Sequence, residues 1–315
     1  MTIDLPTPAK ALKIGTRGSP LALAQANETR ERLAHAFDLP FEAFTIVVIK
    51  TTGDKVLDRP LKEIGGKGLF TKEIEEAMLS GEIDIAVHSM KDMPVEQPEG
   101  LLLDCYLPRE DVRDAFVSFR EGGLGDLPEG TVVGTSSLRR RAQLLNRRPD
   151  LEVVEFRGNV QTRLKKLQDG VAEATFLAMA GLNRLGLDEV PRVAIDTGDM
   201  LPAVAQGAIG IERRAADSRV AAMLEAIHDK ETGERLAAER AFLAALDGSC
   251  ETPIGGLATL AGGEVRLQGE ILRPDGSDIL EGVESAPIED GAELGTALGQ
   301  SLRGRAPDGF FDWTS

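Results

Sequence analysis

Short runs rich in β-branched residues recur along the chain at 12–15, 44–50, 83–87, 101–106, 131–133, 151–156, 174–179 and 208–212. Several are apolar throughout, the pattern of strands covered on both faces. Between them lie stretches of helical period beginning near Pro20, Phe70, Leu138 and Val160; in the last, Val160, Leu164 and Leu167 fall at i, i+4 and i+7. This alternation predicts βαβ units with mainly parallel strands. Breakers and small residues at 107–111 and 198–207 mark two crossings, so the chain leaves a first lobe and later returns to it. Two Ala-rich helical stretches, 213–228 and 231–246, come next. The runs 257–260, 264–272 and 278–284, with Pro274-Asp275-Gly276 as a turn, then predict an antiparallel meander closed by a helix. The expected fold is α/β: two lobes with mixed, mainly parallel sheets, residues 1–107 with 203–226 and residues 108–202, plus a smaller α+β C-terminal domain, residues 227–315. No internal repeat or low-complexity segment interrupts the pattern.

Composition narrows the function. The 315 residues suit two to three domains, and 42% hydrophobic with 28% charged residues is ordinary for a globular chain. Lys and Arg number 36 against 52 Asp and Glu, a net charge of −16. That balance argues against a nucleic-acid or anionic-membrane binder, whose affinity depends on basic surface. Residues 1–10 lack the apolar core of a secretory signal, and no apolar run approaches a membrane span. Cys105 and Cys250, far apart, do not make a disulfide framework, and a reducing cytoplasm is the simplest setting. His35, His88 and His228 are scattered without ligand spacing, so no metal site is expected.

Against this acidic background one segment stands out: residues 138–167 hold nine basic and three acidic residues, a local net charge of +6. Much of it falls at strand-to-helix junctions. Thr16-Arg17-Gly18-Ser19-Pro20 ends one strand, with Ser19 placed as N-cap and Pro20 as the first helical residue. Thr135-Ser136-Ser137-Leu138-Arg139-Arg140-Arg141 ends a second, and Arg157-Gly158-Asn159, followed by Arg163, ends a third. A helix N-terminus offers unpaired N–H groups and partial positive charge, and arginine adds a fork for carboxylate or phosphate. In open α/β sheets ligands collect at these carboxyl ends of strands. Arg17, Arg139, Arg140, Arg157 and Arg163 are therefore read as anion-binding, whereas Arg147, Arg148, Lys165 and Lys166 read as a solvated helix face. The run 83–87 leads into His88-Ser89-Met90-Lys91-Asp92, placing a cation and a carboxylate at a strand end. His88 itself reads as a packed or capping residue. Gly65-Gly66-Lys67-Gly68 could wrap an anion but lacks the Walker spacing. Cys105 sits in an apolar run and reads as core; Cys250 lies on a polar turn after a helix whose Gly248 reads as the C-terminal cap.

Taken together these segments resemble the porphobilinogen deaminase (hydroxymethylbilane synthase) family. The resemblance runs collinearly through Gly15-Thr16-Arg17-Gly18-Ser19-Pro20, Gly65-Gly66-Lys67-Gly68-Leu69-Phe70, His88-Ser89-Met90-Lys91-Asp92 and Arg113-Asp114-Ala115-Phe116. It continues through residues 134–140, Arg157-Gly158-Asn159, Ala180-Gly181-Leu182, Gln206-Gly207-Ala208, Ala238-Glu239-Arg240 and the Cys250 turn. It implies a dipyrromethane cofactor held by a thioether at Cys250. Four porphobilinogen molecules then add head to tail with loss of ammonia, and hydrolysis releases hydroxymethylbilane for haem or chlorophyll synthesis. It further implies that Asp92 is the catalytic carboxylate, steadying positive charge near the ring nitrogens. Cofactor contacts fall on Arg17, Ser19, Lys91, Asp92, Ser137, Arg139, Arg140, Arg157, Gly158, Arg163, Arg184 and Gln206, and substrate contacts on Arg17, Ser19, Lys67, Arg157 and Arg163. The lobes would be periplasmic-binding-protein-like, the protein a cytoplasmic monomer with porphobilinogen as its small-molecule partner and neither nucleic acid nor membrane.

The chain departs from the family pattern in three places. Glu63 stands where a second lysine is common, with Lys62 one residue earlier; Ala205 and Ser249 replace glycines, both small, and Ser249 matters only if its backbone needs φ > 0. The rival readings are a non-catalytic two-lobed carboxylate sensor and a cysteine-nucleophile transferase. Both leave the pairing of Asp92 with Cys250 unexplained.

Overall fold

The computed structural model describes residues 4–55, 71–249 and 252–312. They form two compact units: residues 1–110 with 208–233, and residues 111–207 with 234–315. The chain passes between them at 110–111 and 207–208, inside or beside the two stretches marked by breakers, and again at 233–234 within the helix Lys230–Ala245.

The first unit is built on a five-stranded sheet ordered β2-β1-β3-β10-β4. Its strands are β1 (Leu12–Thr16), β2 (Phe44–Val48), β3 (Ile85–Ser89), β4 (Leu101–Tyr106) and β10 (Ile209–Arg214). β1 runs parallel to β2 and β3, while β10 runs antiparallel to β3 and β4. Alternate residues of β3 enter opposite cores. Ile85 and Val87 pack with Leu12, Ile14, Leu33 and Ile211 on one face, and Ala86 packs with Ile74, Met78 and Leu101 on the other. Both faces are thus apolar, as the unbroken hydrophobic runs require.

The second unit repeats the wiring. Its sheet is ordered β7-β6-β8-β5-β9, from β5 (Asp114–Ser118), β6 (Val132–Gly134), β7 (Glu152–Val154), β8 (Ala174–Ala178) and β9 (Arg192–Ala194). β6 is parallel to β7 and β8, and β5 is antiparallel to β8 and β9. Each sheet therefore has three parallel strands, one reversed strand beside them and an edge strand. Phe116 and Phe176 fill one side and Ala115, Val117 and Leu177 the other. The second unit also contains an antiparallel three-stranded sheet of β11 (Ile254–Ala261), β12 (Glu264–Leu272) and β13 (Ile279–Pro287), followed by the helix Gly291–Gly304. Among the described residues no helix is long and apolar enough to cross a membrane, and no group of three His, Cys, Asp or Glu could hold a metal ion.

The mixed sheets and the terminal meander follow the expected fold, with differences of detail. The pattern does not anticipate β5, β9 or the short helix Met179–Arg184. β5 is buried along its whole length but opens on Asp114, which breaks the apolar signal at its start. The helical stretch at 213–228 shrinks to Ser218–Glu225, because β10 continues to Arg214 and the Asp217 side chain caps the helix by accepting from the Val220 N–H at 3.0 Å.

The C-terminal cap of the helix Lys230–Ala245 also differs. Asp247, at φ 52°, takes the left-handed position assigned to Gly248. Gly248 is needed for space instead: a Cβ there would come within 2.4 Å of the Leu243 side chain and 2.6 Å of Ile254. Of the two small residues that replace glycines, Ser249 is not left-handed, whereas Ala205 is, at φ 60°. The cost is held by Glu239, fully buried in the helix Lys230–Ala245. Its carboxylate accepts from the Ala205 N–H at 2.7 Å and from the Ala258 N–H at 2.8 Å. A left-handed L-residue costs about 1–2 kcal/mol, partly offset by the extra chain entropy a glycine would lose, about 0.5–1 kcal/mol. Ala205→Gly should therefore stabilise the protein by about 0.5–1 kcal/mol in a denaturant titration. An unchanged or lowered midpoint would mean that the backbone there is unstrained.

Candidate active site

Parallel strands put their carboxyl ends on one edge of a sheet, and in each unit the chemistry-bearing junctions stand on that edge. In the first unit β1 ends at Thr16 and passes through Arg17 and Gly18 into the helix Pro20–Phe37. Ser19 caps that helix by accepting from the Ala22 N–H at 3.2 Å. Beside it β3 ends at Ser89 and turns tightly through Met90–Asp92, which displays Lys91 and Asp92, both half-buried. The two junctions meet in one pocket lined by Arg17, Ser19, Gln25, His88, Ser89 and Asp92 among others. A guanidinium and a capped helix start thus face the same space as a carboxylate.

Three of those lining residues escaped the reading of motifs as site residues. Gln25, buried on the helix Pro20–Phe37, exchanges hydrogen bonds with Ser89: its amide donates to the hydroxyl at 2.8 Å, and the hydroxyl lies 3.0 Å from its carbonyl oxygen. His88 is buried, with Nε2 3.1 Å from Oε2 of Glu212 on β10. The only sequence signal for Gln25 was a polar residue among the alanines of an otherwise core-facing stripe.

In the second unit β6, β7 and β8 end at three further junctions. Ser137 caps the helix Leu138–Arg147 with a long bond, accepting from the Arg140 N–H at 3.4 Å, and Ser136 accepts from the Phe156 N–H at 2.9 Å. Asn159 caps the helix Val160–Gln168 by accepting from the Thr162 N–H at 2.9 Å. Gly158 must be glycine: its φ is 125°, and a Cβ would lie 2.6 Å from Thr162. Arg157 and Arg163, half-buried, flank this turn. Arg184, at the end of the helix that follows β8, donates to the Gly207 carbonyl at 3.0 Å.

Arg139 and Arg140 are placed differently from the exposed forks that the motif implied. Both are buried, and both pair with Asp114 at the start of β5, each at 2.7 Å. Arg139 also donates to the Leu201 carbonyl and Arg140 to that of Phe176, each at 2.8 Å. Gln206, fully buried, donates to Asp114 at 2.9 Å and to the Val112 carbonyl at 2.8 Å. Burial alone would push the Asp114 carboxyl up, but the two guanidiniums, with bonds from Arg140 and Gln206, hold it well below the ordinary carboxylate range. Asp114 is thus the hub of three site residues, although the sequence marked it only as part of Arg113-Asp114-Ala115-Phe116. Burial pushes the nearby Glu270 carboxyl up to about 7, against the pull of Arg139 and Arg147.

The residues read as a solvated face also divide. Lys165 is exposed and pairs with Asp169, and Arg147 is exposed beside Asp199. Arg148, however, binds Asp150 and the carbonyls of Leu124 and Leu127, and Lys166 donates to the Arg157 carbonyl at 3.0 Å. These two work as structural ties. Cys250 and Lys67 lie outside the described residues. Of the described neighbours, the Ser249 N–H donates to the Thr252 hydroxyl at 2.9 Å, and that hydroxyl donates to the Ser249 carbonyl at 2.7 Å. Cys105 is buried, donates to the Leu224 carbonyl at 3.4 Å, and has its thiol pushed up to about 12 by burial.

Two guanidiniums sharing one buried carboxylate leave an excess of one positive charge, and capped helix starts add to it. In each unit the donors are of the kind that carboxylates need, which is the test a dipyrromethane with its acetate and propionate arms must meet. Fold and site together define an α/β protein with arginines and capped helix starts at the carboxyl ends of its parallel strands. The chain belongs to the porphobilinogen deaminase family: the family model for the dipyrromethane cofactor binding domain matches residues 12–222, and that for the C-terminal domain matches 234–304. A porphobilinogen deaminase of Paracoccus denitrificans is 67% identical over 99% of both chains. One of Nitrobacter hamburgensis is 55% identical over 95% of this chain and 94% of its own. A chloroplastic one of Pisum sativum is 54% identical over 96% of this chain and 83% of its own.

Breaking the Asp114 hub should be costly, because it leaves two buried guanidiniums unpaired. Asp114→Asn should lower unfolding free energy at pH 7 by about 3–5 kcal/mol. A depressed carboxyl contributes stability that is complete above its unfolded value, 3.8, and is lost as pH falls through the folded one. The gap between native and variant should therefore hold from pH 7 to about 5 and narrow below about 4. A gap that stays constant down to pH 3 would remove the charge from the explanation.

Proposed function

We propose that the pocket of the first unit is where each new pyrrole is joined, with Asp92 as its catalytic residue and Cys250 as the anchor of the cofactor. The reaction is that of the family: a transferase of tetrapyrrole synthesis joins four porphobilinogen molecules head to tail on a dipyrromethane primer. Ammonia leaves at each addition, and hydrolysis releases hydroxymethylbilane. The primer supplies the free ring carbon to which the first porphobilinogen adds. When the aminomethyl C–N bond of porphobilinogen breaks, the electron pair leaves with ammonia and positive charge spreads over the ring. A carboxylate near the ring nitrogen steadies that charge and can take up a proton as the new C–C bond is completed.

The observation that carries this reading is the convergence of Arg17, Ser19 and Asp92 on one pocket. Arg17 and the Ser19 helix start hold the acetate and propionate of the incoming pyrrole and so orient it against Asp92. Arg157, Gly158 and Arg163, with Lys67, extend the anion-binding set, and Lys91, Ser137, Arg184 and Gln206 hold the cofactor with them. Arg139 and Arg140 act toward the cofactor chiefly through the excess charge of the Asp114 hub. Cys250 is the thiol for the thioether, because Cys105 is buried with its proton firmly held. The three-part division into residues 1–107 with 203–226, 108–202 and 227–315 separates the pocket, the arginine junctions and the anchor. The net charge of −16 supports a protein that binds neither nucleic acid nor membrane, and we read it as a cytoplasmic monomer.

Asp92→Asn keeps the shape of the side chain and removes its charge. Loaded with cofactor, it should fold normally, with turnover at least a hundredfold below native, measured as ammonia released from porphobilinogen. Turnover within a few-fold of native would take the catalytic role from Asp92.

A further inference from the structure

The buried pair beneath the pocket has no place in the chemistry above. His88 and Glu212 stand on neighbouring antiparallel strands, where His88 faces Gly210 and Glu212 faces Ala86, so their side chains meet diagonally on one face of the sheet. Glu212 is fully buried on β10, opposite an irregularity in the pairing with β4 at Ile211 and Glu212. Oε2 lies 3.1 Å from His88 Nε2, and Oε1 has no hydrogen-bond partner among the described residues. A second carboxyl, Glu75 on the helix Lys72–Leu79, approaches the pair. Burial pushes Glu75 up, Glu212 and Glu76 add to this, and the Thr71 hydroxyl and His88 oppose it.

Such a group is expensive to keep for packing alone. A buried carboxylate with one imidazole partner and another carboxyl facing it forfeits hydration that apolar residues of the same size would not need. What the pair does achieve is orientation. Glu212 takes one ring nitrogen and so fixes the imidazole at the wall of the pocket, two residues ahead of the turn Met90–Asp92.

We propose that the His88–Glu212 pair is a positioning element for the condensation, holding an oriented imidazole against the pocket in which Asp92 works. His88 and Asp92 share a wall of that pocket and are joined by the same short strand end. The pair's effect falls on how the bound pyrrole and Asp92 face one another in the transition state, more than on how tightly porphobilinogen binds. This rests on the pocket of the first unit being the site of condensation.

The test uses full-length, cofactor-loaded enzyme, with loading confirmed by intact mass and folding by thermal melting, and measures kcat and KM for porphobilinogen separately. His88→Gln and Glu212→Gln should each lower kcat at least tenfold while KM changes less than threefold, and the double variant should fall no further than the worse single one. Should Glu212→Gln fail to fold, His88→Gln decides alone. A folded, loaded His88→Gln with kcat within twofold of native, or one that raises KM alone, overturns the proposal. Asp92→Asn, assayed alongside, separates the two failures. If it is inactive while the pair variants are near native, only this proposal falls; if it too is active, the pocket reading falls with it.

Discussion

One buried carboxylate organises much of the second unit. Asp114 opens β5, and its two oxygens gather Arg139 and Arg140 from a helix start and Gln206 from the returning chain. Those partners in turn bind the carbonyls of Phe176 on β8, Leu201 and Val112. Neighbouring Ala205, held left-handed by the carboxylate of Glu239, fixes the direction in which Gln206 leaves the backbone. A charge without water must be paired and hydrogen-bonded on every side. Here that demand ties a reversed strand, a helix N-terminus, a loop and the C-terminal domain's first strand into one arrangement, since Glu239 also binds the backbone of β11.

The same demand leaves a useful imbalance. Two guanidiniums against one carboxylate carry a net positive charge to the carboxyl ends of β6, β7 and β8, where the capped helix starts point the same way. On the proposed function, this is how an acidic protein holds a polycarboxylate product chain without a basic surface overall. The first unit uses the same wiring for a different end: Arg17 and Ser19 supply the anion-binding half of the pocket, and the turn after β3 supplies the carboxylate. On the proposed function, the repeated sheet plan presents anion-binding groups in both units and the catalytic carboxylate in the first.

How far this was legible in the sequence depended on the kind of interaction. The apolar runs of β1, β3, β8 and β10, the N-cap Ser19 and the helical periods beginning near Leu138 and Val160 are local signals, and they agree with the strands and helix starts of the structure. β5 was missed because its defining residue is charged, and a charged residue reads as a strand start only when its partners, 25 or more positions away, are known. For the same reason Arg139 and Arg140 looked like open forks; Arg148 and Lys166 looked like a solvated face because their main partners are backbone carbonyls, which no residue type announces. The cap after Ala245 was misassigned because glycine is the usual left-handed residue, whereas here the side chains of Leu243 and Ile254 claim the space beside Gly248. Gln25 and Glu212 carry no motif; only packing brings Gln25 to the pocket and Glu212 to His88 behind it.

The account stands on a covalent primer at Cys250, so the most direct measurement is the intact mass of the purified native protein beside that of Cys250→Ser. The native protein alone should carry an added mass equal to two linked pyrrole units. If neither protein carries an adduct, even after incubation with porphobilinogen, Cys250 is an ordinary thiol and the account is contradicted.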